Sequence, residues 1–158
     1  MEGIKHIRID DRLIHGQVAT MWTNKLGVSR IMVINDEVSK NDIQKSVLRM
    51  AAPSNVSTSL ISKDTAFKNI QSGKYKGQSV LIIVKSPLDL LELSNRGMDI
   101  GAINVGNMSA KDNTRVIRPS ISVTPEEEEA LIELINRKIE VTAIMTPDDS
   151  KILLKDYL

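Results

Sequence analysis

Three observations predict an α/β fold, an open and mainly parallel seven-stranded sheet with helices on both faces. Apolar stretches with strand periodicity alternate with helix-like stretches from one end of the chain to the other. Residues 80–84 read Val-Leu-Ile-Ile-Val, an unbroken apolar run suited to a strand covered on both faces. Neither an internal repeat nor a low-complexity linker interrupts the series, so one domain is expected over residues 1–158.

Taken in order, residues 4–9 alternate apolar and polar as a first strand. A short helix over 16–26 follows, with Val18, Trp22 and Leu26 on one stripe and Gly27 at its end; Trp22 reads as core. Residues 30–34, Arg-Ile-Met-Val-Ile, make a second strand that runs into a polar turn at Asn35-Asp36. The next helix is expected to turn Ile43, Val47, Leu48 and Met50 inward and to stop at Pro53. Residues 56–61 form the third strand, and Ser62 caps a helix that reaches about residue 70 with Ala66, Phe67 and Ile70 inward. After the fourth strand, Pro87 suits a first helical turn, Leu90, Leu91 and Leu93 follow, and Gly97 terminates. Residues 100–105 are a shorter fifth strand, and 106–119 read as irregular. A short strand at 121–123 leads to Thr124-Pro125-Glu126-Glu127, a capping threonine with proline at N1 and a glutamate placed to close the box. Leu131, Leu134 and Ile135 give that helix its apolar side, and a strand over 140–145 and a short helix over 147–154 complete the chain.

Composition narrows the function. The absence of cysteine excludes disulfides, thiolate chemistry and cysteine-based zinc sites. A net charge of +1 argues against a nucleic-acid partner bound through phosphate neutralisation, while leaving room for a local basic pocket. No apolar run approaches the roughly 18 residues of a membrane span, and the polar opening shows no signal peptide. A cytoplasmic domain is expected.

In open α/β sheets ligands gather beyond the carboxyl ends of the strands. Four polar loops qualify, at 10–15, 35–36, 85–86 and 105–109, and they should converge on one edge. The first holds His15, just ahead of a helix whose N-terminus favours neutral imidazole, the nucleophilic form. A phosphoryl group on that ring would meet backbone N–H donors at Gly16 and Gln17 and the guanidinium of Arg12. From the residues alone, two roles stay open for His15: phosphoryl or acid–base work, and capping of the helix. Arg12 either contacts an anion or pairs with Asp10 or Asp11. Either acid has the chemistry to orient the imidazole, or to serve as a turn residue. At least one acid is expected to be neutralised by an arginine, and a magnesium site on the pair is the minor alternative. Asn35, Asp36, Lys85 and Ser86 are expected near phosphate or sugar. So is the amide-rich run Asn104-Val105-Gly106-Asn107-Met108-Ser109. His6, in the alternating first strand, reads as structural. No GxGxxG follows the first strand, so no dinucleotide cofactor is indicated, and Asp64 is badly placed for a phospho-aspartate receiver with Lys85.

The stretch Arg8-Ile9-Asp10-Asp11-Arg12-Leu13-Ile14-His15-Gly16-Gln17-Val18, with Trp22 beyond it, resembles the IIB component of the bacterial phosphoenolpyruvate:sugar phosphotransferase system, mannose/fructose/sorbose class. Asn35-Asp36-Glu37-Val38, Met50-Ala51-Ala52-Pro53, Lys85-Ser86-Pro87 and Asn104-Val105-Gly106-Asn107-Met108 continue the likeness in order. The resemblance implies a seven-stranded α/β domain; no cofactor is expected, and no metal is needed if Arg12 and the backbone donors suffice. It implies that His15 carries a phosphoryl group on Nδ1, with Arg12 helping to hold it. The donor would be a phosphohistidine on a IIA component. The acceptor would be a sugar held by the membrane IIC/IID permease, beside which the domain would be peripherally associated. One departure stands out. Where such proteins usually leave the helix after Pro125 through Gly-Val, this chain reads Arg137-Lys138-Ile139-Glu140, which puts the turn geometry there in question. Arg115 and Arg118, in a stretch variable among such proteins, are candidates for partner or anion contact.

Overall fold

The structure, a computed structural model, describes residues 1–158. Six strands form one parallel sheet: β1 (Ile4–Asp10), β2 (Arg30–Ile34), β3 (Ser57–Ile61), β4 (Val80–Val84), β5 (Ala102–Asn107) and β8 (Glu140–Ala143). Their spatial order is β3-β2-β4-β1-β5-β8, while β6 (Arg115–Arg118) and β7 (Ile121–Val123) pair as an antiparallel hairpin. A parallel bridge between Met108 and Ile121 joins β7 to the end of β5, so seven strands are reached when β7 is counted with the six.

The strands alternate their side chains between two cores. Ile31, Val33, Leu81 and Ile83 pack under helices α1 (Gly16–Leu26), α2 (Asp36–Ser39) and α3 (Asp42–Ala51). Met32, Ile34, Ile82 and Val84 pack under α4 (Lys63–Gln71), α5 (Pro87–Asn95) and α6 (Pro125–Asn136). The unbroken apolar run of β4 is explained: every residue of it is buried, against one layer or the other. The box at Thr124 and Glu127 forms as the residues predict, with both reciprocal bonds present.

Four expectations are corrected. Asn35-Asp36 is no simple turn: Asn35 caps the extra helix α2 by accepting from Val38 N–H at 2.9 Å. Helix α3 docks through Leu48, leaving Ile43 and Met50 80% and 85% exposed and Val47 exposed with them. Ile43, Val47 and Met50 form one stripe, and Leu48 lies more than a quarter-turn away from it. Periodicity found the helix, but burial followed the side that fits Val56 and Leu60. The irregular stretch hides β6, only four residues long and flanked by charge, and β5 runs on to Asn107. The last helix over 147–154 is absent. Asp149 accepts from Thr146 N–H at 3.0 Å, and Ala143 N–H donates to Ile152 O at 2.9 Å. These bonds double the chain back on β8 before a single 3₁₀ turn at Leu154–Tyr157.

At the exit of α6, Lys138 adopts φ 69°, the left-handed conformation glycine would take most cheaply. Its N–H and that of Ile139 close the helix onto Ile135 O and Leu134 O. The turn is of the usual kind, with a lysine in the glycine's place.

Candidate active site

The site is built on the end of β1. Alternation sends Ile7 and Ile9 into the core under α4–α6, and His6, Arg8 and Asp10 to the opposite face, beneath Trp22 of α1. Arg8 and Asp10 are each only 1% exposed, so this is a buried ion pair. Arg8 Nη1 donates to Asn104 Oδ1 at 2.6 Å and to Ile144 O at 3.1 Å; Nη2 donates to Met145 O at 3.0 Å and to Asp10 Oδ2 at 3.3 Å. Trp22 Nε1 donates to the same Met145 carbonyl at 3.1 Å, and the Arg8 guanidinium lies 5.2 Å from the Trp22 ring. Ile144 and Met145, expected to belong to the last strand, lie past its end: Ile144 N–H still donates to Val105 O at 3.1 Å, while both carbonyls turn to cap this arginine. Burial pushes the Arg8 pKa down, and Asp10 offsets part of that shift.

Asp10 also holds Arg12. Its Oδ1 accepts from Arg12 Nε and from Arg12 backbone N–H, both at 3.0 Å, and its Oδ2 accepts from Arg12 Nη2 at 2.9 Å. This fork holds the Arg12 pKa above its ordinary value and leaves Nη1 without a partner in the chain. The Arg12 side chain is 30% exposed. A turn follows, closed by Leu13 N–H on Asp10 O at 2.9 Å. Leu13 takes φ 63°, a conformation that costs a branched side chain about 1–2 kcal/mol. Burial of Leu13 and Ile14 against α1 and β2 holds the strained turn down.

His15 then occupies the N-cap position of α1 with an exposed side chain that makes no capping bond. Helices α2 to α6 each have a side-chain cap and an acidic residue in the first turn; α1 has neither. The N–H groups of its first turn therefore face outward uncapped. A Cβ added at Gly16 would meet nothing in the chain.

The two acids part company. Neither touches His15, so the expectation that one of them orients the imidazole is corrected: both carboxylates are engaged elsewhere. Asp11 accepts from Asn107 Nδ2 at 2.8 Å and from Ser109 N–H at 2.7 Å, which ties the β1 loop to the end of β5. The expected neutralisation of one acid by arginine is present at Asp10, where two arginines meet.

The remaining candidates fall into two groups. Asn104 is buried on Arg8, and Gly106 is buried beside it. A Cβ at Gly106 would stand 1.9 Å from Arg8 Nη2, so the glycine makes room for the guanidinium. Both are expected near phosphate or sugar; in the structure they build the support of Arg8. Asp11, Asn35, Asp36, Lys85 and Ser86 line a separate polar cleft of 730 Å³ along the sheet edge, which His15 and Arg12 do not line. There Asn35 and Ser86 serve as helix caps, and Asp36 accepts from Lys63 N–H at 2.9 Å. Lys63 sits among Asp36, Asp89 and Glu92. Burial alone would lower its pKa, but the bond to Glu92 and the three carboxylate charges hold it above normal. Lys85 is exposed and forms no salt bridge. Arg115 pairs with Glu128 and Arg118 lies 4.7 Å from the Tyr157 ring, so both are engaged within the chain.

Reasoning on residue types did not single out Arg8, Ile144 or Met145. The signal for Arg8 was present: a charge inside an apolar strand, with an acid two residues on and thus on the same face.

Comparison with known proteins agrees with this architecture. A family profile described as "PTS system sorbose subfamily IIB component" matches residues 4–158. The chain is 34% identical over 151 residues to the mannose-specific EIIAB component of Escherichia coli K12, covering 96% of this chain. It spans about half of that relative, 47% of its length. It is 32% identical over 150 residues to the fructose-specific EIIB component of Bacillus subtilis 168, covering 95% of this chain and 92% of the relative. The crystal structure of the IIBSor domain of the sorbose permease from Klebsiella pneumoniae superposes with a TM-score of 0.93 at 28% identity, covering 99% of this chain and 96% of that one.

Proposed function

The chain belongs to the sorbose subfamily of phosphotransferase-system IIB components, and from that premise we propose that His15 is its phosphoryl carrier. The donor is a phosphohistidine on a IIA protein. The acceptor is a hydroxyl of a sugar bound by the membrane IIC/IID permease. No helix of this chain is long and apolar enough to cross a membrane; the proposed donor and acceptor would place it on the cytoplasmic side, against the permease.

In the first step the Nδ1 lone pair of His15 attacks phosphorus in line, and the P–N bond to the donor imidazole breaks with its electron pair returning to that ring. In the second, the sugar hydroxyl oxygen attacks and the P–N bond to His15 breaks. Its proton is released, and the imidazole regains its lone pair. Charge on the three equatorial oxygens is met by Arg12 Nη1 and by first-turn N–H groups at Gly16 and Gln17. The observation that carries this reading is the exposed, uncapped His15 at the start of α1, beside an arginine anchored through one edge and free at the other.

The test is labelling of the chain by a phosphorylated IIA donor, followed by mass-spectrometric mapping. Acid-labile phosphate on His15, absent from His15→Ala, is expected; label in His15→Ala would overturn the assignment. Arg12→Ala is expected to slow transfer by about 100-fold, the scale of losing one preorganised donor, while the domain still folds. Parental rates in Arg12→Ala would leave Arg12 as a partner of Asp10 only. Transfer to a panel of hexoses, with the permease present, identifies the sugar.

A further inference from the structure

We propose that Arg8 is a positioning residue for phosphoryl transfer, acting through Asp10 on Arg12. The inference rests on the phosphoryl-carrier reading of His15 and Arg12, and concerns how that site is held in shape.

Asp10 accepts four donors, three from Arg12 and one from Arg8, which uses the lone-pair capacity of the carboxylate. A carboxylate so filled cannot rotate, so the plane of the Arg12 guanidinium is set by it. What keeps Asp10 in place is Arg8, itself fixed by Asn104 and by the carbonyls of Ile144 and Met145. Arg8 itself is 1% exposed, so it does not meet a ligand.

The chain is shaped around this group at a cost. Burying a charged pair usually stabilises less than apolar packing of the same volume. Glycine in a buried strand weakens it, yet Gly106 stands where any Cβ would overlap the guanidinium. Just past the end of β8, the carbonyls of Ile144 and Met145 both turn to one side chain. Fold stability alone would be served by a buried aliphatic residue. Geometry at Arg12 requires a cation with a planar fork, because Arg8 Nη2 must meet Asp10 and the Met145 carbonyl while Nη1 meets Asn104 and the Ile144 carbonyl. Counting Asp11, which Asn107 and Ser109 hold, the group has two guanidiniums against two carboxylates, so what Arg8 supplies to the loop is geometry and not net charge.

The experiment is a double-mutant cycle on single-turnover transfer from the phosphorylated IIA donor to the full chain, run well below the melting temperature of every variant. Arg8→Met is expected to cut the rate at saturating donor by about tenfold or more, with the half-saturating donor concentration unchanged within about twofold. In an Arg12→Ala background, Arg8→Met should have almost no further effect, because the residue it acts through is gone. Arg8→Lys keeps the charge without the fork and should recover only part of the rate. Should Arg8→Met fail to fold, Arg8→Lys and Gly106→Ala, which crowds the guanidinium from behind, complete the same cycle. Parental rates in the Arg8 variants would overturn the proposal. So would a loss confined to half-saturation, or one that multiplies undiminished in the Arg12→Ala background. A parent protein that takes no label at His15 would instead sink the carrier reading itself.

Discussion

Two charged clusters stand at the carboxyl edge of the sheet, built with opposite signs. In one, the Asp10 carboxylate lies between Arg8 and Arg12; in the other, the Lys63 ammonium lies among Asp36, Asp89 and Glu92. The first is dry at its centre, with Arg8 and Asp10 side chains 2% and 1% exposed, while in the second the central Lys63 side chain is 17% exposed and Asp36 and Glu92 are about half open to water. Within the first, two guanidiniums share one carboxylate, and Asp11 next along the loop balances the count; in the second, three anions against one cation leave negative charge. A phosphoryl dianion would find the free guanidinium edge of Arg12 in the first and an excess of carboxylates in the second. On the proposed carrier reading, this contrast favours the His15 loop over the larger cavity for phosphoryl transfer.

The difference in burial predicts a difference in stability. Asp10→Asn leaves Arg8 buried without its counter-charge and should destabilise the fold by about 3–5 kcal/mol, read from urea denaturation. Lys63→Met removes a partly solvated cation from its three partners and should cost no more than about 1 kcal/mol. Equal losses would break the distinction between a locked cluster and a solvated one. Gly106→Ala comes next. The added methyl meets Arg8 Nη2 at 1.9 Å and can be relieved only by moving the guanidinium or the strand. A loss of about 1–3 kcal/mol is expected, as for overpacking elsewhere. An unchanged urea midpoint would show that Arg8 has room the contacts do not suggest.

A third prediction extends the dry side down β1 to His6. Its ring stacks on Trp22 with centroids 4.7 Å apart, and Nε2 is buried without a partner. Burial lowers the His6 pKa from 6.5; Asn104 offsets part of this, and the nearby Arg8 charge adds to it. The unfolded chain therefore takes up a proton near the ordinary histidine value that the folded chain refuses until lower pH. Stability is fully present above that value and is lost as pH falls through it toward the depressed folded value. His6→Phe keeps the stack and removes the proton site. Urea midpoints between about pH 7 and pH 5 should fall less steeply in that variant than in the parent. Parallel slopes would mean that the His6 site is not dry.

Most of the fold was legible because its strands carry their own burial pattern. Residues 80–84 announce a strand covered on both faces, and Thr124 to Glu127 announce a helix start. What was not legible depended on choices between equally apolar options. The stripe of Ile43, Val47 and Met50 is as good a helix face as the one that docks, and only the shape of the neighbouring core decides. The site was half legible. His15 stands out by type and position, but its support does not, because Arg8, Gly106 and the carbonyls of Ile144 and Met145 are distant in the chain and meet only when β1, β5 and β8 are laid side by side. The adjacent acids show the same limit. Asp10 and Asp11 are indistinguishable in sequence, and one step of strand alternation sends them to different partners, two arginines for the first and Asn107 with Ser109 for the second.

The smallest expected effect lies outside both clusters, and serves as their control. Lys138 holds φ 69° at the exit of α6, exposed, with no salt bridge to lose. A left-handed residue with a Cβ costs roughly 1–2 kcal/mol, and glycine recovers that while adding about 0.5–1 kcal/mol of backbone entropy to the unfolded chain. Lys138→Gly should therefore stabilise the domain by about 0.5–1 kcal/mol, seen as a higher urea midpoint with unchanged slope. Transfer to His15 should not change, since α6 leaves the sheet at the end opposite the His15 loop. The comparison with Leu13, at φ 63°, is instructive. There the same substitution removes a buried side chain together with the strain, so Leu13→Gly should lose stability where Lys138→Gly gains it. A gain at both positions would mean that the packing of Leu13 does little to hold the loop that carries His15.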